Sequence, residues 1–220
     1  MSTETPSSAK RRYRKRRRAE LEDETRLRIT EAAVELHGSL GPARTTISAV
    51  AERAGVQRAT VYRHFPDEEA LFGACSSHWR AQHPLPDLAE WAAVADLADR
   101  LRIALTALYA WYERGEGMLE KTTRDAPLVP AMWPAVASMG AWFADAVATI
   151  VRGRPERGAR RRRIEAAVGH AVSFATWRSL VRDQGLSQSE AVDLMRGLVT
   201  LAATAKQQRG RSPAAPRSAA

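Results

Sequence analysis

The chain holds 220 residues, 45% of them hydrophobic and 27% charged, with a formal net charge of +9 and one cysteine. That apolar content excludes a wholly disordered chain and suffices for a core of ordinary size in one or two domains. The lone Cys75 excludes an intrachain disulfide and, with no Cys/His spacing suited to zinc, reads as a small core residue.

The positive charge sits at the two ends. Residues 1–18 hold eight Lys/Arg against one Glu, and residues 206–220 hold four and no acid, which leaves residues 19–205 at −2. Arginine outnumbers lysine thirty to four, a bias of the kind a GC-rich coding sequence produces. From Lys10 to Arg18 eight of nine residues are cationic, the composition of a disordered basic arm, assigned to residues 1–20. Twin arginines occur in it, but Glu20, Glu22, Asp23 and Glu24 follow where a secretion signal needs an apolar stretch, so the expected location is cytoplasmic.

Residues 45–71 read as two short helices joined by a tight turn. Thr45 or Thr46 caps the first, whose apolar positions Ile47, Val50, Ala51 and Ala54 share one face. Gly55 falls where that helix must stop in a left-handed residue, and Val56, Val61 and Phe65 carry the apolar pattern onward. Ala51 is small where the two helices would cross steeply. The outer face of the second helix is left with Gln57, Arg58, Ala59, Thr60, Tyr62, Arg63 and His64. This is the pattern of a helix-turn-helix that reads duplex DNA.

From Ile29 to Leu71 the chain resembles the TetR family of bacterial transcriptional regulators. Ile29, Ala32, Ala33, Leu36 and Gly41 match its first helix; Thr46, Ala51 and Ala54-Gly55-Val56 match the second; Thr60, Tyr62, His64 and Phe65 match the third; residues 67–71 match the start of the fourth. The resemblance implies that Ser48 and Arg58 reach base edges, arginine to guanine being the commonest specific contact. Thr46, Thr60, Tyr62 and His64 would touch phosphate or sugar and set register, with His64 alternatively a helix C-terminal histidine. Where the family usually has a phosphate-binding lysine, this chain has Glu68, so that contact is not expected; Asp67, Glu68 and Glu69 suit a first helical turn instead. In front of such a domain the basic arm either lies along phosphates or a minor groove, or is only solvated.

Beyond Leu71 the pattern stays helical, with helices expected over 67–82, 88–112, 134–152, 160–183 and 187–207. The second of these bends or restarts near residues 96–101. Breaks are expected at residues 83–86, 115–117, 153–158 and at Gly185. Residues 126–144 lack charge for nineteen positions, but Pro127, Pro130 and Pro134 argue against a membrane span and for a buried helix from Pro134. Trp111, Met118, Met132, Trp133, Trp142, Phe174 and Trp177 are candidates to line an apolar ligand cavity, or are simply core. Ile164, Val168, Ala171 and Ala175, then Ala191, Leu194, Leu198, Leu201 and Ala205, recur at the spacing of a narrow helical seam. They are candidates for a four-helix dimer interface or for the chain's own core. Arg160 to Arg163 bring positive charge to a helix start, the unfavourable sign for the dipole, for acidic partner surface or for solvent.

The expected architecture is all-α. A helix-turn-helix DNA-binding domain of three helices spans 21–66, a helical ligand-binding and dimerisation domain spans 67–207, and a disordered tail spans 208–220. The function expected is a dimeric repressor released from a double-stranded operator by an apolar or aromatic small molecule, with no cofactor or metal. The rivals are a helical protein binding DNA without sequence preference through its basic tails, and a helical enzyme, for which no catalytic constellation emerges.

Overall fold

The computed structural model describes the backbone of residues 6–204 and the side chains from Arg11 onward. Every regular element among these residues is helical: α1 (Pro6–Ser39), α2 (Ile47–Ala54), α3 (Arg58–His64), α4 (Glu68–Gln82), α5 (Leu88–Ala93), α6 (Leu97–Asp125), α7 (Trp133–Val151), α8 (Gly158–Ala171), α9 (Phe174–Arg178) and α10 (Gln188–Thr204). Ala205, the end of the last expected helix and the tail over 208–220 lie outside the described residues.

The described residues divide into two units. One unit holds the described residues up to Pro86 together with Leu108–Ala144, and the other holds Asp87–Ala107 with the residues from Asp145 on. Ile29, Ala32 and Ala33 of α1 bury with Val50, Ala51 and Ala54 of α2, with Val61 and Phe65, and with Leu71 and Cys75 of α4. Each large aliphatic among these contributes about 1.5–3 kcal/mol by leaving water. The fourth helix therefore completes the small domain. Cys75 is a core residue as expected; its Sγ donates to the Thr30 carbonyl at 3.8 Å, and burial pushes the thiol pKa up to about 12.

Further along the same unit, Trp111 Nε1 donates to the His83 carbonyl at 3.1 Å, and its ring meets Trp79 edge-on at 5.8 Å. Gly115 faces Trp79 so closely that a Cβ would lie 3.0 Å from that ring. Helix α6 therefore runs unbroken through Gly115, where a break was expected over 115–117. The small residue makes room for an indole and does not end the helix.

Other departures have equally local causes. Residues 6–20, expected as a disordered arm, are the first turns of α1. Their Arg, Lys, Ala and Glu are strong helix formers, and Arg16–Glu20 and Arg18–Glu22 pair at i,i+4. The helix expected over 88–112 restarts near residues 96–101 as anticipated, between α5 and α6, where Asp96 Oδ1 accepts from the N–H groups of Ala98 and Asp99 and starts a new helix. The span 160–183 is divided into α8, α9 and a single π turn, Ser179–Asp183. Helix α7 begins at Trp133 as the prolines suggested, but it is buried only toward its C-terminal end, at Ala146, Ile150 and Val151; Trp133 and Val136 are 59% and 44% exposed. Pro130–Val151 is the one described helical stretch long and apolar enough to cross a membrane by length and composition, with 17% of its window buried.

In the second unit α8 and α10 pack on each other, burying Ile164, Ala167, Val168 and Ala171 with Ala191, Val192, Met195, Val199 and Ala203. The C-terminal end of α7 is held by arginines. Arg100, 6% exposed, donates from Nη1 to the carbonyls of Thr149 (3.3 Å) and Arg152 (2.7 Å), and from Nε and Nη2 to that of Val94 (2.9 and 2.6 Å). Arg161 Nη1 donates to the Val151 carbonyl at 3.2 Å while its Nε pairs with Glu165 at 2.6 Å. One member of the four-arginine run thus places its charge at a helix C-terminus, the favourable end. Arg100→Ala is expected to lower stability by about 2–3 kcal/mol, because carbonyls lose a charged donor. A urea titration should show a lower midpoint, whereas Arg160→Ala, on an exposed side chain, should change it little.

Candidate nucleic-acid interface

The turn between α2 and α3 carries the geometry that the spacing suggested. Thr46, with extended φ and ψ of −100° and 154°, accepts at its Oγ1 from the Ala49 N–H at 3.1 Å, which makes it the cap of α2. Gly55 adopts φ +66°, and the Val56 N–H closes back on the Ala51 carbonyl at 2.9 Å. A Cβ on Gly55 would meet nothing within 4 Å, so only the backbone conformation requires glycine here. Gln57 caps α3 through its backbone alone, leaving its side chain unused by the helix start.

From that start α3 turns Val61 inward, and Phe65 closes its end at 1% exposure. Gln57, Arg58, Ala59, Tyr62 and Arg63 remain exposed, and Thr60 is half-buried. Thr46 and Ser48 are exposed at the first turn of α2, which packs against α3. His64, expected at a phosphate or sugar or else as a helix C-terminal histidine, is the last residue of α3. Its Nε2 is buried with no hydrogen-bond partner, and burial, followed by the charges of Arg63 and Arg26, lowers its pKa and leaves the ring neutral near pH 7. At the start of α4, Asp67 Oδ1 accepts from the Ala70 N–H at 2.7 Å, and Glu68 and Glu69 occupy the first turn.

Two clamps on this domain were not legible in the sequence. Arg26 of α1 donates to the His64 carbonyl at the end of α3, and its guanidinium stacks over the Phe65 ring at 4.1 Å. Asp125, the last residue of α6 and 2% exposed, accepts from the Ala43 N–H at 3.0 Å and from Arg124 Nε and Nη2 at 2.6 and 3.0 Å. Arg124 Nη2 also donates to the Leu40 carbonyl at 3.2 Å, and the guanidinium holds the Asp125 carboxyl below its usual range. Gly41, at φ +96°, lies against this pair with no room for a Cβ. No short-range periodicity marks a contact between residues 82 positions apart.

The candidate ligand residues fall in both units. Trp111 and Met132 are buried in the first unit, Met118 and Trp142 are half-buried there, and Trp133 is exposed; Phe174 and Trp177 stack at 5.5 Å in the second. A cleft of about 210 Å³ lies beside the α2 cap, lined by His37, Thr46, Glu68, Phe72 and Val129 among others. The seam residues divide as well. Leu194, Leu198 and Leu201 are 50%, 37% and 64% exposed, and Ala175 is exposed. Ile164, Val168 and Ala171 of α8 and Ala191 of α10 are fully buried in the chain's own packing.

Residues 29–75 match the family model described as bacterial regulatory proteins, tetR family. An HTH-type transcriptional repressor of Mycobacterium tuberculosis is 31% identical over 117 residues, covering 51% of this chain and 61% of the relative. The chain thus spans about three fifths of the length of the curated relatives it matches. A TetR-like transcriptional regulator from Rhodococcus sp. RHA1 superposes with a TM-score of 0.58 at 17% identity, over 83% of this chain and 97% of the other. The regulator FadR from Bacillus subtilis, in complex with stearoyl-CoA, superposes at 0.51 and 15% identity, over 81% and 97%.

His37 supplies a pH test of this unit. It is 5% exposed, stacks on Phe72 at 4.7 Å and 5°, and burial lowers its pKa from 6.5 to about 4. Because the unfolded chain takes up the proton first, stability should fall as pH drops from 6.5 toward 4, by about 3 kcal/mol in all. Denaturation midpoints of wild type and His37→Phe at pH 7 and pH 5 should show that this part of the loss disappears in the variant.

Proposed function

We propose that this chain, whose residues 29–75 match the tetR-family model, is a dimeric repressor that leaves its operator when a small molecule binds. The observation that carries this reading is the exposed outer face of α3, set at a fixed angle by the Thr46 cap and the Gly55 turn and held by Arg26. Arg58 and Ser48 are the base-reading pair; Thr46, Thr60, Tyr62, Gln57 and Arg63 meet the backbone and set register. Two such readers dock on successive major-groove faces of a partly palindromic site.

The exposed stripe Leu194, Leu198 and Leu201 supports pairing through α10, whose opposite face is already committed to α8. Three large apolar side chains at helical spacing on one surface are what a second copy would cover. A ligand acts by preferring one spacing of the two readers over another. By linkage it binds free protein more tightly than DNA-bound protein by the factor by which it weakens operator binding; about 1–3 kcal/mol of coupling gives a 5- to 150-fold response. The apolar and aromatic content beyond α4 favours an apolar ligand, and the stearoyl-CoA complex of FadR shows that this fold can hold an acyl chain derivative in another protein.

The first experiment is selection of bound fragments from a random duplex library at physiological salt. An enriched inverted repeat is the expected result; binding without enrichment would instead favour the reading of a protein that holds DNA without sequence preference. On the selected site Arg58→Ala should reduce discrimination at one base pair of each half-site by about 1–3 kcal/mol. An equal loss on every sequence would make Arg58 a phosphate contact. Leu198→Arg should give monomers by sedimentation with weakened operator binding, and an unchanged sedimentation profile would remove α10 from the interface.

A further inference from the structure

Over residues 11–28 of α1 no side chain is buried and only Thr25 is half-buried; burial begins at Ile29. Contact with the rest of the domain begins at Arg26 over Phe65, and the exposed helical segment before it, burying nothing, is marginal in water. Seven of the eight residues from Arg11 to Arg18 are cationic, and their mutual repulsion opposes the helix further. The exposed pairs Arg16–Glu20 (2.8 Å) and Arg18–Glu22 (3.0 Å) offset little of this.

The placement of the charges is more telling than their number. Arg11, Arg14, Lys15 and Arg18 each precede one of Ile29, Ala32, Ala33 and Leu36 by eighteen positions. Eighteen residues are five full turns at about 3.6 residues per turn. The four cations therefore continue the face by which α1 packs on α2 and α4. Arg26, which reaches the His64 carbonyl, marks where α1 passes the end of α3. At about 1.5 Å per residue the stripe begins ~12 Å beyond that point and extends ~10 Å further. That overhang corresponds to about six base pairs at ~3.4 Å each.

We infer that residues 11–18 are a second DNA-binding element, a cationic helical rod that lies against duplex phosphates flanking each half-site. This rests on the reading of α3 as the DNA-facing helix. Duplex DNA is the occupant because it offers dense negative charge, about one phosphate per 1.7 Å of axis, alongside the end of α3. On that surface the repulsion that opposes the isolated helix is relieved, and displaced counterions supply the driving force. The rod reads no base; it lengthens the footprint and raises affinity on any sequence.

The test uses the full chain and a quadruple variant, Arg11→Gln, Arg14→Gln, Lys15→Gln and Arg18→Gln, on selected and random duplexes. The slope of log affinity against log salt should fall by about 3, at ~0.9 per released charge with Arg18 partly neutralised by Glu22. Affinity at 0.1 M salt should drop at least tenfold on both duplexes with their ratio unchanged. Trimming the flanks beyond the half-sites from ten base pairs to two should weaken the wild type and leave the variant unaffected. A control neutralising Arg160 and Arg162, exposed on α8, should keep the wild-type slope. An unchanged slope in the quadruple variant, or equal wild-type affinity for both flank lengths, overturns the rod. A wild type that binds selected and random duplexes alike, with the slope change intact, overturns the reading of α3 and leaves the rod standing.

Discussion

At Gly55 the backbone enters the left-handed region, and the N–H groups of Gly55 and Val56 close back onto the last turn of α2. That single residue sets the angle between α2 and α3, and with it which side chains of α3 face inward. Val61 and Phe65 then join the core of Ile29, Ala33 and Val50, so the opposite face of α3 must carry Arg58, Tyr62 and Arg63 outward. Any other residue at position 55 would work against about 1–2 kcal/mol of backbone strain, in a domain too small to absorb many such costs.

Helix α1 is the spine to which this turn is referred. Its guanidinium at Arg26 meets the carbonyl end of α3, where the helix dipole favours a cation. Its Glu35 pairs with Arg53 near the end of α2. Both short helices are therefore indexed to one long one, by contacts that lie at their ends and leave their outer faces clear. The same helix carries its charge past the domain without burying it, in exposed first turns whose composition is that of a disordered arm.

What the sequence disclosed followed from short-range rules. The Thr46 cap, the Gly55 turn, the acidic start of α4 and the inward set Val50, Ala51, Val61 and Phe65 all depend on neighbours within a few residues, and all were legible. The seam on α10 was half legible: heptad-like spacing found the leucines but could not tell which of two adjacent stripes would pack on α8, and Val192, Met195 and Val199 took that place. Gly115 misled because a helix-breaking residue and a residue that admits an indole look alike until Trp79 is in view. The aromatic list could not be sorted for a related reason, since identity alone does not distribute tryptophans between two units. Arg26, Arg100 and Asp125 were invisible, because each acts on backbone groups contributed by distant parts of the chain.

The Asp125 clamp has an experimental consequence. Its carboxylate takes the Ala43 N–H, an amide in the 3₁₀ turn just before the α2 cap, although Asp125 itself ends a helix 82 positions later. One backbone amide is therefore a built-in gauge of whether the end of α6 is seated on the small domain. Its rate of exchange with deuterium, read beside that of the Ala49 amide held by Thr46, separates loosening of the clamp from fraying of α2 itself. Any event that shifts α6 without unfolding the domain would be written first in the isotope content of that one position.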